Sequence, residues 1–491
     1  MIADDGRYDA SDPGDLPGLS WVMPDAPTEP VPVSIFFREY YEPGLLSRLL
    51  AGEALPPVPS IIDLDREQPR VEISAIVPTD AGRVNVTVDV NKAEATGVGD
   101  LKLFRDERLV GLYEGAGRPD SDAGRRGARQ VVFPNIALPT SGADAVEFSA
   151  YAFNADGVKS ETQRRRYKLP ATEPKPRRAF VIAVGVNAYE NRSWDLRYAA
   201  DDARASGTII ARHLEAAGAF DEVHTVSLIA ERNASGAAFG AAARADLLAV
   251  LKVLAGGAGD RARLATIAGA ASLDEARPDD LVYLAFSGHG MSGDNGLFHL
   301  FLSDIGVGEA RVVNDALLAR TLDSDVLARH LLRVDAGHFV MVIDACNSAA
   351  SVEGGGFKPG PMGSRGLGQL AYDKAMRVLA ASQAEAAALE SDRLKHGMLT
   401  FAMLREGLEG GAADRAPEDR AVSLSEMLKY GVSRVPLLYA DLRDGTFTPQ
   451  GRGHLDMFGA GVPPLSVQRP SLFDFSRGAR EVNMPVLETT D

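Results

Sequence analysis

Two short stretches of the chain carry the residue types from which covalent catalysis is built. Ser287-Gly288-His289-Gly290 follows the apolar run 281–286, and Asp344-Ala345-Cys346-Asn347-Ser348 follows the apolar run 339–343. A thiolate attacks carbonyl carbon well, but an ordinary thiol, with a pKa of about 8.5, is mostly protonated at neutral pH. An imidazole beside it can take that proton and return it to a leaving amine. Glycines around His289 allow tight turns and close approach of a substrate chain, and backbone amides there could hold an oxyanion. Taken singly, a lone cysteine is usually a small buried hydrophobe and a lone histidine a satisfied structural residue. The joint placement favours chemistry: each follows an apolar strand pattern, inside a turn of small residues.

The elements that must position this pair read as alternating strand and helix from residue 179 onward. Residues 179–186 (AFVIAVGV), 222–229, 280–286, 339–345 and 376–381 read as strands; 198–217, 244–254, 323–332, 399–408 and 424–435 have helical spacing. Continuous apolar runs fit strands covered on both faces. Repeated βα units imply a mainly parallel sheet whose chemistry lies at the carboxyl ends of its strands. Upstream, residues 69–169 change character to short period-2 runs separated by Gly- and Asp-rich turns, the pattern of an antiparallel β-sandwich. Residues 1–68 are rich in proline and read as extended, with one short amphipathic helix at 43–50. The basic, proline-containing stretch 163–178 (QRRRYKLPATEPKPRR) reads as a linker, with its core at 170–178. The peptidase-like region is drawn at 179–440, with a tail at 441–491 packed on the core.

The sequence resembles the caspase-like cysteine peptidases, and within them the bacterial metacaspase and orthocaspase group more than animal caspases. The residues that carry this are FSGHG (286–290) and IDACNSA (343–349), with LRYAADDA (196–203), LAASQAEAAALE (379–390) and KHGMLTFAML (395–404) in the same order. Asn347 and Ala349 depart from the family's more usual His and Gly, and Asp344 stands two residues before the cysteine, where animal caspases have Gln. The resemblance implies an α/β fold, a caspase-like three-layer αβα sandwich with a mostly parallel sheet, behind an all-β immunoglobulin-like sandwich. It implies Cys346 as nucleophile, His289 as general acid/base, and the amides of Gly290 and Cys346 facing the oxyanion. It also implies a substrate pocket lined by Asp202, Asp344 and Ser287, with Asp201 leaving the register of the first acid open. Paired carboxylates favour a guanidinium or ammonium and repel an acidic side chain. Cleavage after Arg or Lys is therefore expected, with a protein or peptide as substrate.

Other expectations are broader. The Gly- and Pro-rich loop 354–366 follows the cysteine, and Lys358 and Arg365 are candidate self-cleavage points within it. No cofactor is required by the sequence. The resemblance admits calcium, for which Asp304 and Glu353 are nearby acids without committed ligand roles, and the remaining histidines show no metal spacing. His396 reads as the start of a helix. In similar bacterial proteins WD-repeat propellers often lie upstream, so a sensor or regulatory partner is a candidate for segments such as 36–53. The rival readings are a non-catalytic caspase-like scaffold or adaptor binding partners through the sandwich, and another thiol enzyme such as an acyltransferase or amidase.

Composition narrows the field. The 491 residues hold 52 Lys+Arg against 68 Asp+Glu, a formal charge of −16, and the pI is near 5.1. A nucleic-acid partner needs a basic face, so none is expected. One cysteine excludes an intramolecular disulfide and a multi-cysteine zinc site. No apolar run approaches the roughly 20 residues that span a bilayer, and the acidic start does not read as a secretory signal. A cytoplasmic protein without membrane partners is the expectation.

Overall fold

The computed structural model describes residues 2–487 except 10–17, 37–39, 43–44, 51–56, 59–60, 62–63, 65, 80–81, 92–97, 116–128, 155, 172, 294–296, 309, 346–365, 383–387, 416, 445–454, 459–466 and 478–480. The chain forms two compact units, Met1–Glu173 and, for the most part, Pro174–Asp491, with Tyr372–Lys374 counted with the first.

In the first unit, β1 (Ser20–Met23) and β2 (Ala26–Pro32) form a two-stranded antiparallel sheet. These are short extended elements within the proline-rich stretch, and Leu45–Leu50 is helical, inside the 43–50 expected for a short helix. The three prolines of β2 fit a strand with a free edge, where a missing donor costs nothing. Seven strands follow: β3 (Arg70–Pro78), β4 (Arg83–Asn91), β5 (Val98–Arg105), β6 (Arg108–Tyr113), β7 (Arg129–Ala137), β8 (Ala145–Asn154) and β9 (Gln163–Lys168). They make two antiparallel sheets, ordered β3-β4-β7 and β6-β5-β8-β9. Alternation does the sorting: Val84, Val86, Val88 and Val90 of β4 are buried while the residues between them are part-exposed. They share one apolar core with Leu101, Leu103, Val146, Phe148 and Ala150 from the other sheet. β9 falls within the 69–169 expected for the sandwich and narrows the stretch 163–178 read as linker from its N-terminal side. Its RRR run sits on an edge strand, where exposed charge also blocks further pairing.

The second unit is built on a seven-stranded mixed sheet. β10 (Arg178–Val186) leads to the helix Ala199–Ala217, then β11 (Glu222–Arg232) and the short β12 (Ala238–Gly240). β13 (Leu281–Ser287) runs on into a small antiparallel sheet of β14 (Gly290–Ser292), β15 (Phe298–Leu300) and β16 (Leu322–Asp323). β17 (His338–Asp344) and β18 (Arg377–Ala380) complete the parallel set. Further on come β19 (Ala388–Ser391), β20 (His396–Gly397), β21 (Ala421–Ser423), β22 (Leu455–Phe458), β23 (Ser471–Asp474) and β24 (Asn483–Pro485). The large sheet is ordered β12-β11-β10-β13-β17-β18-β23, with β12 and β23 antiparallel at its edges.

All nine residues of β10 and all seven of β13 are buried, as their unbroken apolar pattern requires. One face packs the helix Ala199–Ala217, through Ile209, Ile210 and Leu214, and the C-terminal helices, through Met403, Leu428 and Leu438. The helix expected at 399–408 is a single α-turn, Met398–Thr400, followed by the π-helical Phe401–Glu409. The last helix runs from Leu424 to Arg443, through Pro436, well past the expected end at 435. Its start is a capping box, in which Ser423 and Glu426 satisfy each other's amides. No helix among the described residues is long and apolar enough to cross a membrane.

Candidate active site

Strand order decides where the residues of interest meet. β10 is flanked by β11 on one side and β13 on the other, so the chain leaving β10 and the chain leaving β13 diverge. Such a switch point opens a crevice beyond the carboxyl ends of the strands. β13 and β17 run in register, with Ser287 opposite Asp344, and the Gly288 amide donates to the Asp344 carbonyl at 3.2 Å. Both strands therefore end together, and His289 leaves the sheet beside Ala345, the residue that precedes Cys346 in sequence. Gly290 makes this approach possible: a Cβ there would lie 2.9 Å from the Ala345 methyl and 2.6 Å from the Phe298 ring. Ala345 is braced from beneath, its carbonyl accepting from Ser382 Oγ at 3.1 Å.

His289 is 2% exposed, with Tyr189, Trp194 and Phe301 around its ring. Its Nε2 lies 2.8 Å from the Trp194 carbonyl. A carbonyl can only accept, so Nε2 carries the hydrogen and Nδ1 presents a lone pair. Nδ1 has no hydrogen-bond partner among the described residues. Burial pushes the His289 pKa down to about 4, partly offset by the Trp194 carbonyl. At neutral pH the ring is uncharged, with one nitrogen anchored and the other bare, which is the state of a general base.

The carbonyl that anchors it is itself held firmly. Trp194 closes the 3₁₀ turn Arg192–Trp194, whose cap Asn191 accepts from the Ser193 amide at 3.0 Å. The next residue, Asp195, accepts from the Tyr189 amide at 2.9 Å and from Arg232 Nε at 2.5 Å. Arg311 lies over the Trp194 ring and donates to the Ser193 carbonyl.

Gly290 pairs with Leu300 across β14 and β15. The Phe301 amide donates to the His289 carbonyl at 3.0 Å, which makes Gly290 and Leu300 a non-hydrogen-bonded pair. The Gly290 N–H therefore points away from β15 and is not consumed by this ladder.

The acidic residues converge. Of Asp201 and Asp202, Asp201 pairs with Arg204 at 3.0 Å near the surface, whereas Asp202 is 1% exposed. The Asp202 carboxylate accepts from Ser287 Oγ at 3.0 Å, from His396 Nδ1 at 2.8 Å and from the Gly397 amide at 3.1 Å. Asp344 is equally buried, and its Oδ2 accepts from Thr400 Oγ1 at 3.2 Å. A Cβ built on Gly397 would lie 2.7 Å from Asp344 Oδ2 and 3.0 Å from Asp202 Oδ2, so both carboxylates close on a single point. Sequence spacing does not find the histidine contact: His396 is 194 residues from Asp202, and only its place in β20, ahead of the helical turn, hints at a buried role.

The structure thus brings together His289, Gly290, Ser287, Asp202 and Asp344. Cys346, Lys358, Arg365 and Glu353 lie outside the described residues. Asp304 accepts from the Arg244 amide at 2.8 Å and so serves the start of the helix Arg244–Leu254. Among the described residues no group of three or more His, Cys, Asp or Glu is placed to hold a metal ion.

No protein-family model matches this chain, and no curated protein matches it. Solved structures that share parts of it include the glycoside hydrolase domain of Endo-D from Streptococcus pneumoniae R6, at 9% identity and TM-score 0.17, covering 22% of this chain and 16% of that one. Another is a superoxide reductase (neelaredoxin) from Archaeoglobus fulgidus, at 14% identity and TM-score 0.15, covering 22% and 90%. A third is a polysaccharide deacetylase from Bacillus cereus, at 9% identity and TM-score 0.14, covering 32% and 50%. At these scores none bears on the fold or the chemistry.

Proposed function

We propose that this chain is a caspase-like cysteine endopeptidase that cleaves after Arg or Lys. The observation that carries the proposal is His289: a buried neutral imidazole, anchored through Nε2 and bare at Nδ1 among the described residues, at the sheet edge to which β17 delivers Ala345. The order of five parallel strands with antiparallel edges supports a caspase-like αβα domain, and the two antiparallel sheets around one core support an immunoglobulin-like sandwich before it.

In the mechanism, Cys346 Sγ attacks the peptide carbonyl while its proton passes to His289 Nδ1. The carbonyl oxygen becomes an oxyanion, held by the amides of Gly290 and Cys346. Collapse breaks the C–N bond, and His289 returns the proton to the departing amine. Water, deprotonated by the same nitrogen, then hydrolyses the thioester and restores the thiol. The buried pair Asp202 and Asp344 supplies the negative charge that a guanidinium or ammonium would meet, with Ser287 as a further polar contact. Self-cleavage at Lys358 or Arg365, and triggering by an upstream sensor, belong to this same reading.

The test is a set of fluorogenic peptides ending in Arg, Lys or Asp, offered to the full chain with and without calcium. Cleavage after Arg or Lys is expected, favoured over Asp by at least about 100-fold, since juxtaposed like charges cost several kcal/mol. A preference for Asp would contradict the acidic pocket. No cleavage of any peptide by the chain as it stands would leave a precursor awaiting its trigger and the non-catalytic scaffold as the two readings, and no cleavage after limited proteolysis within 354–366 as well would contradict the peptidase reading.

A further inference from the structure

Among the side chains that contact Asp202, His396 is the one that the proposed mechanism does not use. It sits in β20, paired with β19 so that His396 faces Ser391 and Gly397 faces Glu390, and its ring is buried. The protonation pattern of the ring follows from its neighbours. Arg405 Nε, which can only donate, lies 3.4 Å from His396 Nε2. Nε2 is therefore the acceptor, and Nδ1 carries the hydrogen that it donates to Asp202 Oδ1 at 2.8 Å. Arg405 is fixed in turn by Glu409, 2.7 Å from its Nη1, and Glu409 also binds Arg212 at 2.5 Å.

This arrangement separates two jobs that a cation would confuse. Asp202 receives hydrogen bonds from a hydroxyl, a backbone amide and a neutral imidazole, so its orientation is fixed while its negative charge is not cancelled. The arginine that could have cancelled it is held one step away, on the far side of the imidazole. A lysine or arginine in the place of His396 would form a closed ion pair and leave nothing for a ligand cation.

We infer that His396 is a specificity-determining residue, which orients Asp202 as an uncancelled anion for the basic side chain of a substrate. The inference rests on the proposed cleavage after Arg or Lys, and deepens it. His396 touches Asp202 rather than the reacting atoms, so it is a positioning residue.

The experiment uses the full chain carrying Cys346→Ala, so that binding is read without turnover. The probe is an acetylated tetrapeptide amide ending in Arg, with its Asp counterpart as control, and binding is measured by calorimetry at pH 7. Three replacements are compared on this background. His396→Asn keeps a donor near the Nδ1 position, His396→Leu keeps apolar bulk without a donor, and His396→Ala keeps neither. The expected result is that Asn stays within about threefold of the parent for the Arg peptide, while Leu and Ala weaken it at least about tenfold, as for loss of a hydrogen bond to a charged group. A purely structural role would give the reverse order, with Leu tolerated best in a buried site, and that order would overturn the inference. Equal affinity in all variants would also overturn it and leave the Arg/Lys reading standing. Failure of the Cys346→Ala parent to bind the Arg peptide would overturn that reading, and this inference with it.

Discussion

Replacing His289 by Gln is expected to lower kcat/KM for an Arg-ending peptide by about 10³-fold or more, within the range for loss of a general acid/base. Gln preserves a donor toward the Trp194 carbonyl and most of the bulk among Tyr189, Trp194 and Phe301, but has no basic nitrogen to face the thiol. The same variant carries a second, independent signature in stability. Burial pushes the folded-state pKa of His289 from its ordinary 6.5 down to about 4. Between these values the unfolded chain binds a proton that the native chain refuses. Stability is therefore complete above about pH 6.5 and declines as pH falls toward about 4, by up to about 3 kcal/mol from this group. Urea unfolding at pH 7 and pH 4.5 should show the wild type losing more stability on acidification than His289→Gln. His213 and His299, also held below their ordinary range by burial, contribute alike to both proteins and cancel in the comparison. Equal pH dependence in the two would contradict a buried neutral His289.

A second large effect is expected at Gly397. Its φ of −61° is open to any residue, so Gly397→Ala carries no backbone strain. The added methyl would nevertheless lie 2.7 Å from Asp344 Oδ2 and 3.0 Å from Asp202 Oδ2, closer than such atoms pack. Both carboxylates, or the strand that carries the methyl, must then move. The expected outcome is a loss of about 100-fold in kcat/KM on Arg peptides, the scale associated with misplacement of a binding group by about 1 Å. Steady-state kinetics should place most of the loss in KM, with melting lowered by only a few degrees. Unchanged KM would mean that the two acids do not form the basic-residue pocket.

How far such features could be seen in advance depends on the range of the interaction that creates them. The strand ends at Ser287 and Asp344 were legible because an unbroken apolar run followed by Gly or a small residue is a local pattern. The helices Arg244–Leu254 and Ser324–Leu331, expected at 244–254 and 323–332, were legible for the same reason. The anchoring of His289 was not, because its partner is the backbone carbonyl of Trp194, and a carbonyl leaves no trace in residue type. Nor was the contact of His396 with Asp202, which joins segments distant in sequence through tertiary packing alone. The strand β9 was read into the linker as well as the sandwich because its arginines mimic a solvated hinge, and an edge strand exposes charge in just the same way. The last helix was expected to end at 435, yet it continues through Pro436, with Val435, Leu438, Tyr439 and Leu442 buried on either side.

The central claim is that Cys346 is a nucleophile activated by His289 beside an acidic pocket. It is tested most directly by alkylation with a peptidyl arginine chloromethyl ketone, in which Sγ bonds to the methylene carbon as chloride leaves. Because Cys346 is the only cysteine, intact mass followed by peptide mapping reads the outcome without ambiguity. The account predicts one adduct on Cys346, formed at least about 100-fold faster than with the aspartyl reagent, and slowed to the rate of an ordinary thiol in His289→Gln. Equal rates for the two reagents, undiminished by that substitution, would contradict it.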